Sequence, residues 1–488
     1  MTEKQKKIGM VVCLATIVLA VLDQNIVSAA TVPIVRELDP LHGVERMPWL
    51  VSAFALASTA ALPLYGKLSD VYGAKRVFLG AVTVFMLGSA LCGTAQDMGQ
   101  LIAYRAVQGI GGGGLMSVTM VVIARVKEGD PDAGAKGGGM GGIFAGFGMA
   151  VGPLIGGLFA DAGNWRWIFY INLPLGALIV VAGALTLRFP KHTTGHRIDY
   201  LGAALAAAFA SGLLLVTEWG GTTYAWGSPQ VIGLSAAVVV VLALFLWRQA
   251  TAAEPILPLR LFRIRAVAIG FAIQGLIGVA MIGAIMYVMT YLQVARGISS
   301  TDAGAFLIPF AGGLALVGLL TGRLGWSART LMISGTAVSA VAMGLLAFTA
   351  VDTSLWAIRG EMLLLGVGFG QLLGTLIFTV QEAAPPRHLG VATTGIRFFQ
   401  TLGGALGAAA FGSLLFRLYD ADVPGVPVAA IAGLEPGARA DAIAAFVSAV
   451  DVVFATGGIV LLIALVLATR LKTTSPKPRR AADSALAA

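Results

Sequence analysis

Runs of about twenty apolar residues recur along this 488-residue chain, separated by short polar or glycine-rich breaks. A helix rises 1.5 Å per residue, so each run is about as long as the roughly 30 Å hydrocarbon core of a bilayer is thick. In hydrocarbon every backbone N–H and C=O must be satisfied internally, which leaves helices for runs of this length. The residues are 57% hydrophobic and only 12% charged, about half the charge of an ordinary soluble domain. The expected fold class is an all-α polytopic membrane protein with about fourteen transmembrane helices. The first six spans are read near 8–30, 47–66, 77–96, 100–124, 137–160 and 166–188, and two more near 200–219 and 228–248. The last six are read near 266–292, 303–322, 330–350, 355–380, 391–416 and 444–469.

Basic residues alternate from side to side across these spans. Twenty-four of the 33 lysines and arginines fall in the tails and loops of one side, seven on the other, and only Arg105 and Arg397 sit well inside spans. The positive-inside rule then puts both termini in the cytoplasm and requires an even span count. It also accounts for the formal net charge of +9 without nucleic acid. Cys13 and Cys92 fall inside spans, so neither a disulfide nor a metal framework is expected. The first run is too long for a cleaved leader and carries Asp23, so it is expected to remain as an anchor.

The chain repeats itself. GIGGGGLMSVTMVVIARV (109–126) matches GVGFGQLLGTLIFTVQEA (366–383), with Gly109, Gly111 and Gly113 answering Gly366, Gly368 and Gly370. A weaker echo pairs GKLSDVYGAKRVFLG (66–80) with GRLGWSARTLMISG (322–335). The expected organisation is a six-helix bundle over 1–190, two inserted helices with a cytoplasmic linker over 191–265, a second six-helix bundle over 266–470 and a basic tail over 471–488. Parallel repeats of this kind rock about a site near the membrane midplane, which is transporter architecture.

Charge inside a span is costly and marks function by default. Asp23, in LAVLDQNIVSAATVPI (19–34), is the one ionised side chain of its stretch. It lies about seven residues, roughly 10 Å, from the outer end of the first span, and Arg105 lies about 7.5 Å below the outer end of the fourth, at similar depth. Arg105, Gln108 and Gly112 share one helix face, and Gly109 and Gly113 form a ridge on which a neighbour can pack closely. Gly66 and Gly73 suit a tight turn, and Asp70 can pair with basic residues or sit at a helix amino terminus. Gly148, Gly152 and Gly156 recur every four residues, with Gly157 beside the last and Pro153 able to bend the helix.

Four motifs, LDQNIV (22–27), GKLSDVYGAKR (66–76), RAVQGIGGGG (105–114) and GMAVGPLIGG (148–157), resemble those of the major facilitator superfamily, in particular its fourteen-span drug:proton antiporter branch. NWRWIFYINLPLG (164–176) adds to the likeness, which covers nearly the whole chain. The resemblance implies a monomeric exporter of hydrophobic, cationic drugs or toxic compounds through the cytoplasmic membrane, driven by protons, with no cofactor and no metal. It implies that Asp23 and Arg105 couple protons, with Asn25 and Gln108 lining a polar cavity. It also implies that Gly66, Asp70, Gly73, Lys75 and Arg76 form a cytoplasmic latch, and that the glycine–proline seam marks an antiporter. Val71 and Ala74 stand where the family usually has arginines, and Asn25 where it usually has threonine. The alternatives are a snorkelling Arg105, a purely structural Asp23–Arg105 pair and a solvated turn at the latch.

Glu218, Glu361 and Asp451 are further candidates for protons or cationic cargo, each with an interface reading beside it. Arg397 reads as the partner of an acid or of the cytoplasmic surface rather than as a cargo ligand. Trp165, Trp167, Trp219 and Trp226 read as interfacial belt anchors, and segment 417–443 as a partly helical cap or a flexible connector. An enzyme is the rival class, but the chain has no P-loop and no GxSxG elbow, and its four histidines (42, 192, 196 and 388) fall in loops. Within transport, the rivals are an exporter of lipid or of a self-made metabolite, and an importer, against which the glycine–proline seam argues.

Overall fold

The computed structural model describes residues 3–39, 49–126, 152, 155–156, 158–159, 164–189, 199–221, 224–324, 326–426 and 428–471, a few of their side chains excepted. Among them helices are the regular secondary structure, apart from one isolated bridge between Gly220 and Tyr224. The principal helices are α1 (Glu3–Leu38), α2 (Trp49–Tyr72), α3 (Ala74–Thr94), α4 (Met98–Val126) and α5 (Asn172–Thr186, entered through the short turn Trp167–Tyr170). The inserted pair is α6 (Tyr200–Trp219) and α7 (Pro229–Thr251). Then come α8 (Arg265–Val294), α9 (Leu307–Leu324, preceded by Ser300–Ala305), α10 (Ala328–Leu346), α11 (Leu355–Ala383), α12 (Leu389–Asp422) and α13 (Pro436–Thr469). Serine starts several of them: Ser228, Ser327 and Ser354 each accept an amide of the first turn of α7, α10 and α11, satisfying a donor the helix cannot.

Twelve of the described helices are long and apolar enough to cross a membrane. Fourteen were expected, and that count is not reached among the described residues. Span 137–160 lies largely outside the described residues. Span 303–322 is helical but interrupted at Phe306, with Ser300–Ala305 before the break and Leu307–Leu324 after it. The segment read as a long outer connector, 417–443, is mostly helix: α12 continues to Asp422, a 3₁₀ turn covers Val428–Gly433 and α13 begins at Pro436.

The glycines of the duplicated stretch do the same packing in both copies. In α4, Gly109 and Gly113 lie against the backbone of Phe54 and Ser58 on α2, while Gly111 faces Phe85 on α3. In α11, Gly366 and Gly370 lie against Phe310 and Leu314 on α9, while Gly368 faces Ser339 on α10. Without a side chain at these points the helix axes approach until backbones touch, which is how helices gain contact in lipid, where burial from water gives no driving force.

The two groups of helices meet along α12, which packs on α8, α11 and α13 of its own group and on α2 and α4 of the other. The inserted helix α6 packs on both α2 and α12 and so lies at the seam. α2 ends, and α12 begins, at the end of the molecule that carries Lys67, Lys75 and Arg125, referred to below as the basic end. At the opposite end, beyond the first span, Glu37 accepts from Trp165 Nε1 at 2.6 Å and from Arg166. The Arg166 hydrogen bond holds the Glu37 carboxyl below its ordinary range. Trp165 is thus buried (2% exposed) in a clamp on the far end of α1, not in an interfacial belt as expected, whereas Trp167 is 55% exposed.

Candidate functional site

Asp23 is 0% exposed, and four helices besides its own α1 supply its surroundings. From α4, Arg105 Nη1 lies 3.2 Å from Asp23 Oδ2, and Gln108 Nε2 donates to Asp23 Oδ1 at 2.8 Å. From α5, Asn172 Nδ2 donates to the same oxygen at 2.8 Å. Ser89 on α3 accepts from both amides, at 2.7 Å from Gln108 and 3.1 Å from Asn172. α2 contributes the carbonyl of Leu50, which accepts from Arg105 Nε at 3.0 Å.

Arg105 is itself almost fully buried and is over-determined. Besides the carboxylate and the carbonyl it meets Gln108 Oε1 at 2.6 Å, and its guanidinium lies 4.4 Å from the Phe54 ring centroid and 5.9 Å from that of Phe169. Delocalised and weakly hydrated, a guanidinium tolerates such mixed surroundings better than an ammonium would. Breaking a buried pair of this kind by deleting one partner typically costs about 3–5 kcal/mol, because the other charge is left stranded. Chemically, the cluster is a carboxylate sealed from water with one cation and two amide donors. Any movement among the five helices must change its partners, and partners and hydration decide whether a buried acid holds a proton.

The structure therefore brings Asp23, Arg105 and Gln108 into one network, and adds Asn172 and Ser89, to which the sequence reading assigned no role. Asn172 was legible only as part of NWRWIFYINLPLG, and Ser89 carries no motif. The side chain of Asn25 lies outside the described residues, as does that of Glu218 on α6. Glu361 on α11 and Asp451 on α13 lie in the other helix group, away from Asp23. Each has one buried carboxylate oxygen, Oε2 and Oδ1, with no hydrogen-bond partner among the described residues.

At the basic end, Asp70 Oδ1 accepts from Gly390 N at 2.7 Å and Oδ2 from Val391 N at 3.1 Å. Asp70 thus holds the first free amides of α12, where the helix dipole favours an anion. Gly66 makes room for this contact: a methyl there would come within 3.0 Å of Val391 Cα. Gly73 turns the chain from α2 into α3 at φ 85°, a conformation open to glycine at no steric cost. Of the basic residues expected at the latch, Lys75 bonds elsewhere, while the charges near Asp70 are those of Lys67 and Arg125. Lys75 donates to Ala184 O at 2.7 Å, tying α3 to the end of α5, and Lys67 pairs with Glu254 of the linker after α7 at 3.0 Å. No contact of Arg76 with Asp70 accompanies them. Of the glycine–proline seam, Gly152 and Gly156 are helical and buried; Gly148, Pro153 and Gly157 lie outside the described residues.

Comparison with known proteins gives these observations a family. The model of the Major Facilitator Superfamily matches residues 12–408. The multidrug transporter protein MdtP of Bacillus subtilis is 34% identical over 400 residues, covering 81% of this chain and 72% of MdtP. Multidrug resistance protein 3 of the same organism is 33% identical over 425 residues, covering 86% and 81%. The crystal structure of the human organic anion transporter MFSD10 superposes with a TM-score of 0.67 over 96% of this chain and all of that one, and at 15% identity this likeness concerns the fold alone. Relatives and structural neighbours are transporters, not enzymes. This multi-pass, all-helical chain, with a duplicated glycine pattern and a sealed acid in its first span, belongs to the Major Facilitator Superfamily.

Proposed function

We propose that the protein is a proton-coupled antiporter of the fourteen-span drug:proton branch, exporting hydrophobic compounds, cationic ones among them, by alternating access. The observation that carries this reading is the sealing of Asp23 among five helices, its own included, with Arg105 as its counter-charge. A proton reaches Asp23 from outside, the helices rearrange, and the acid releases the proton when it meets the cytoplasm. Beyond the concentration term, the membrane potential contributes about 2.3 kcal/mol per charge per 100 mV.

In this reading the basic end faces the cytoplasm of a cell whose inner membrane the chain crosses, with both termini inside. Bundles 1–190 and 266–470 rock about the seam, the inserted pair within 191–265 flanks it, and the tail 471–488 remains in the cytoplasm. A single chain suffices. The Asp70 contact to Gly390 and Val391 is the cytoplasmic latch, and its closure supports an outward-facing orientation for the structure. Gly148, Gly152, Pro153, Gly156 and Gly157 supply a packing seam, and Glu218, Glu361 and Asp451 are the acids available to cationic cargo or to further protons.

The test is dye efflux from proteoliposomes under an imposed pH gradient, with Asp23→Asn compared to the wild type. Gradient-driven efflux is expected to vanish while the variant still inserts and elutes as a single species. Efflux at the full rate with unchanged pH dependence would remove Asp23 from the mechanism.

A further inference from the structure

The second arginine inside a span, Arg397, has surroundings opposite to those of Arg105. It lies on α12, roughly 10 Å along the helix from Gly390, where Asp70 closes the basic end. Its Nη1 donates to Gln400 Oε1 at 2.8 Å, and no carboxylate lies within ion-pair distance of it among the described residues. An uncompensated cation at that depth is costly. α12 is ringed by α2, α4, α6, α8, α11 and α13, yet Arg397 keeps part of its surface exposed.

A second unmet demand lies on the neighbouring helix. Gln274 of α8 is 0% exposed, and neither its Nε2 nor its Oε1 has a partner among the described residues. Phe271 and Gly278, three residues before and four after it, both face α12, against Gly395 and the carbonyl of Gln400 respectively. By helical periodicity Gln274 shares that face. A guanidinium with open donors and a buried amide at the same level fit one ligand group, a planar oxyanion, which an arginine fork holds in two parallel hydrogen bonds.

We propose that Arg397, oriented by Gln400 and with Gln274 beside it, is the subsite for the carboxylate of an amphipathic cargo, so that the exporter takes organic acids as well as cations. The inference rests on the exporter reading above and deepens it. On release to the outside the carboxylate leaves Arg397 to water; on loading, it supplies the counter-charge that the described residues do not.

The probes are dansyl-leucine, which carries a carboxylate, and its methyl ester, which differs only in lacking the charge. Binding is read from dansyl fluorescence in detergent and efflux from proteoliposomes. Wild-type protein is expected to prefer the acid, and Arg397→Gln to lower the acid-to-ester ratio about tenfold or more in both readouts, with Arg397→Lys recovering part of it. Gln400→Leu is expected to move the ratio the same way by a smaller factor. Equal losses for acid and ester, or a wild type that binds the ester as tightly as the acid, would overturn the assignment. If no probe is moved by a gradient but Arg397→Gln still abolishes preferential binding of the acid, the exporter reading fails and the subsite stands.

Discussion

Asn172, the first residue of α5, donates its side-chain amide to the carboxylate of Asp23 at 2.8 Å, across 149 residues of chain. This bond makes α5 part of the candidate coupling site, and it leaves Asn172 Oδ1 buried without a partner among the described residues. An amide held by one atom, with the other unmet, is a contact ready to be exchanged when helices move.

Replacing Asn172 by Leu removes a donor to a charged group and should lower stability by about 1.5–3 kcal/mol. Efflux should slow by more than binding weakens if Asp23 couples protons as proposed, because the lost contact then belongs to the coupling acid rather than to cargo. Thermal melts in detergent and efflux kinetics in proteoliposomes check this; a weakened melt with efflux at the wild-type rate would leave Asn172 a packing residue.

Asp70→Ala strands the first amides of α12 and loosens the basic end. Two charge-assisted hydrogen bonds are lost, about 1.5–3 kcal/mol each at most, so the balance should shift toward the cytoplasm-open orientation about tenfold or more. Labelling of a cysteine placed at Thr394, buried about one turn further along α12 than the residues Asp70 grips, should speed up accordingly. A methyl at Gly390 would meet Gly66 O at 2.5 Å and Asp70 Oδ1 at 2.6 Å, so Gly390→Ala should act in the same direction.

The glycines divide into those that touch a backbone and those that do not. A Cβ on Gly366 runs into the carbonyl of Phe310, which cannot move without moving α9, so Gly366→Ala should cost about 1–3 kcal/mol. Nothing lies within 4 Å of a Cβ on Gly344 of α10, and Gly344→Ala should be neutral or stabilise by about 0.5–1 kcal/mol through helix propensity. Paired melting curves of the two variants measure the difference.

Glu361→Gln keeps size and hydrogen-bonding capacity and removes charge from the carboxylate of α11. Export of cationic dyes should fall several-fold relative to uncharged compounds of similar size. An equal loss for both classes in a matched efflux panel would make the residue structural.

Much of the molecule was legible before any coordinate. Helical class followed from the run lengths, the basic end from the placement of lysines and arginines, and the doubled architecture from glycine spacing that recurs in α4 and α11. Depth counting alone put Asp23 and Arg105 at the same level. The reading failed where the partner lies on an element that nothing local connects to it. Lys75 looked like a latch residue and instead ties α3 to Ala184. Trp165 looked interfacial and is buried on Glu37. Arg397 was read as the partner of an acid or of the cytoplasmic surface, and its described hydrogen bond goes to Gln400.

Sequence alone determined that the chain is a multi-pass, all-helical membrane protein with a doubled glycine pattern, and that an acid and a base share a depth, because hydropathy, residue spacing and helical rise are properties of single segments. Only the tertiary structure decided that Asn172 and Ser89 complete the enclosure of Asp23, that Asp70 grips the start of α12, and that Arg397 has no counter-charge among the described residues. Those outcomes depend on which helix faces meet, and that is set by glycine-lined backbone contacts between segments hundreds of residues apart.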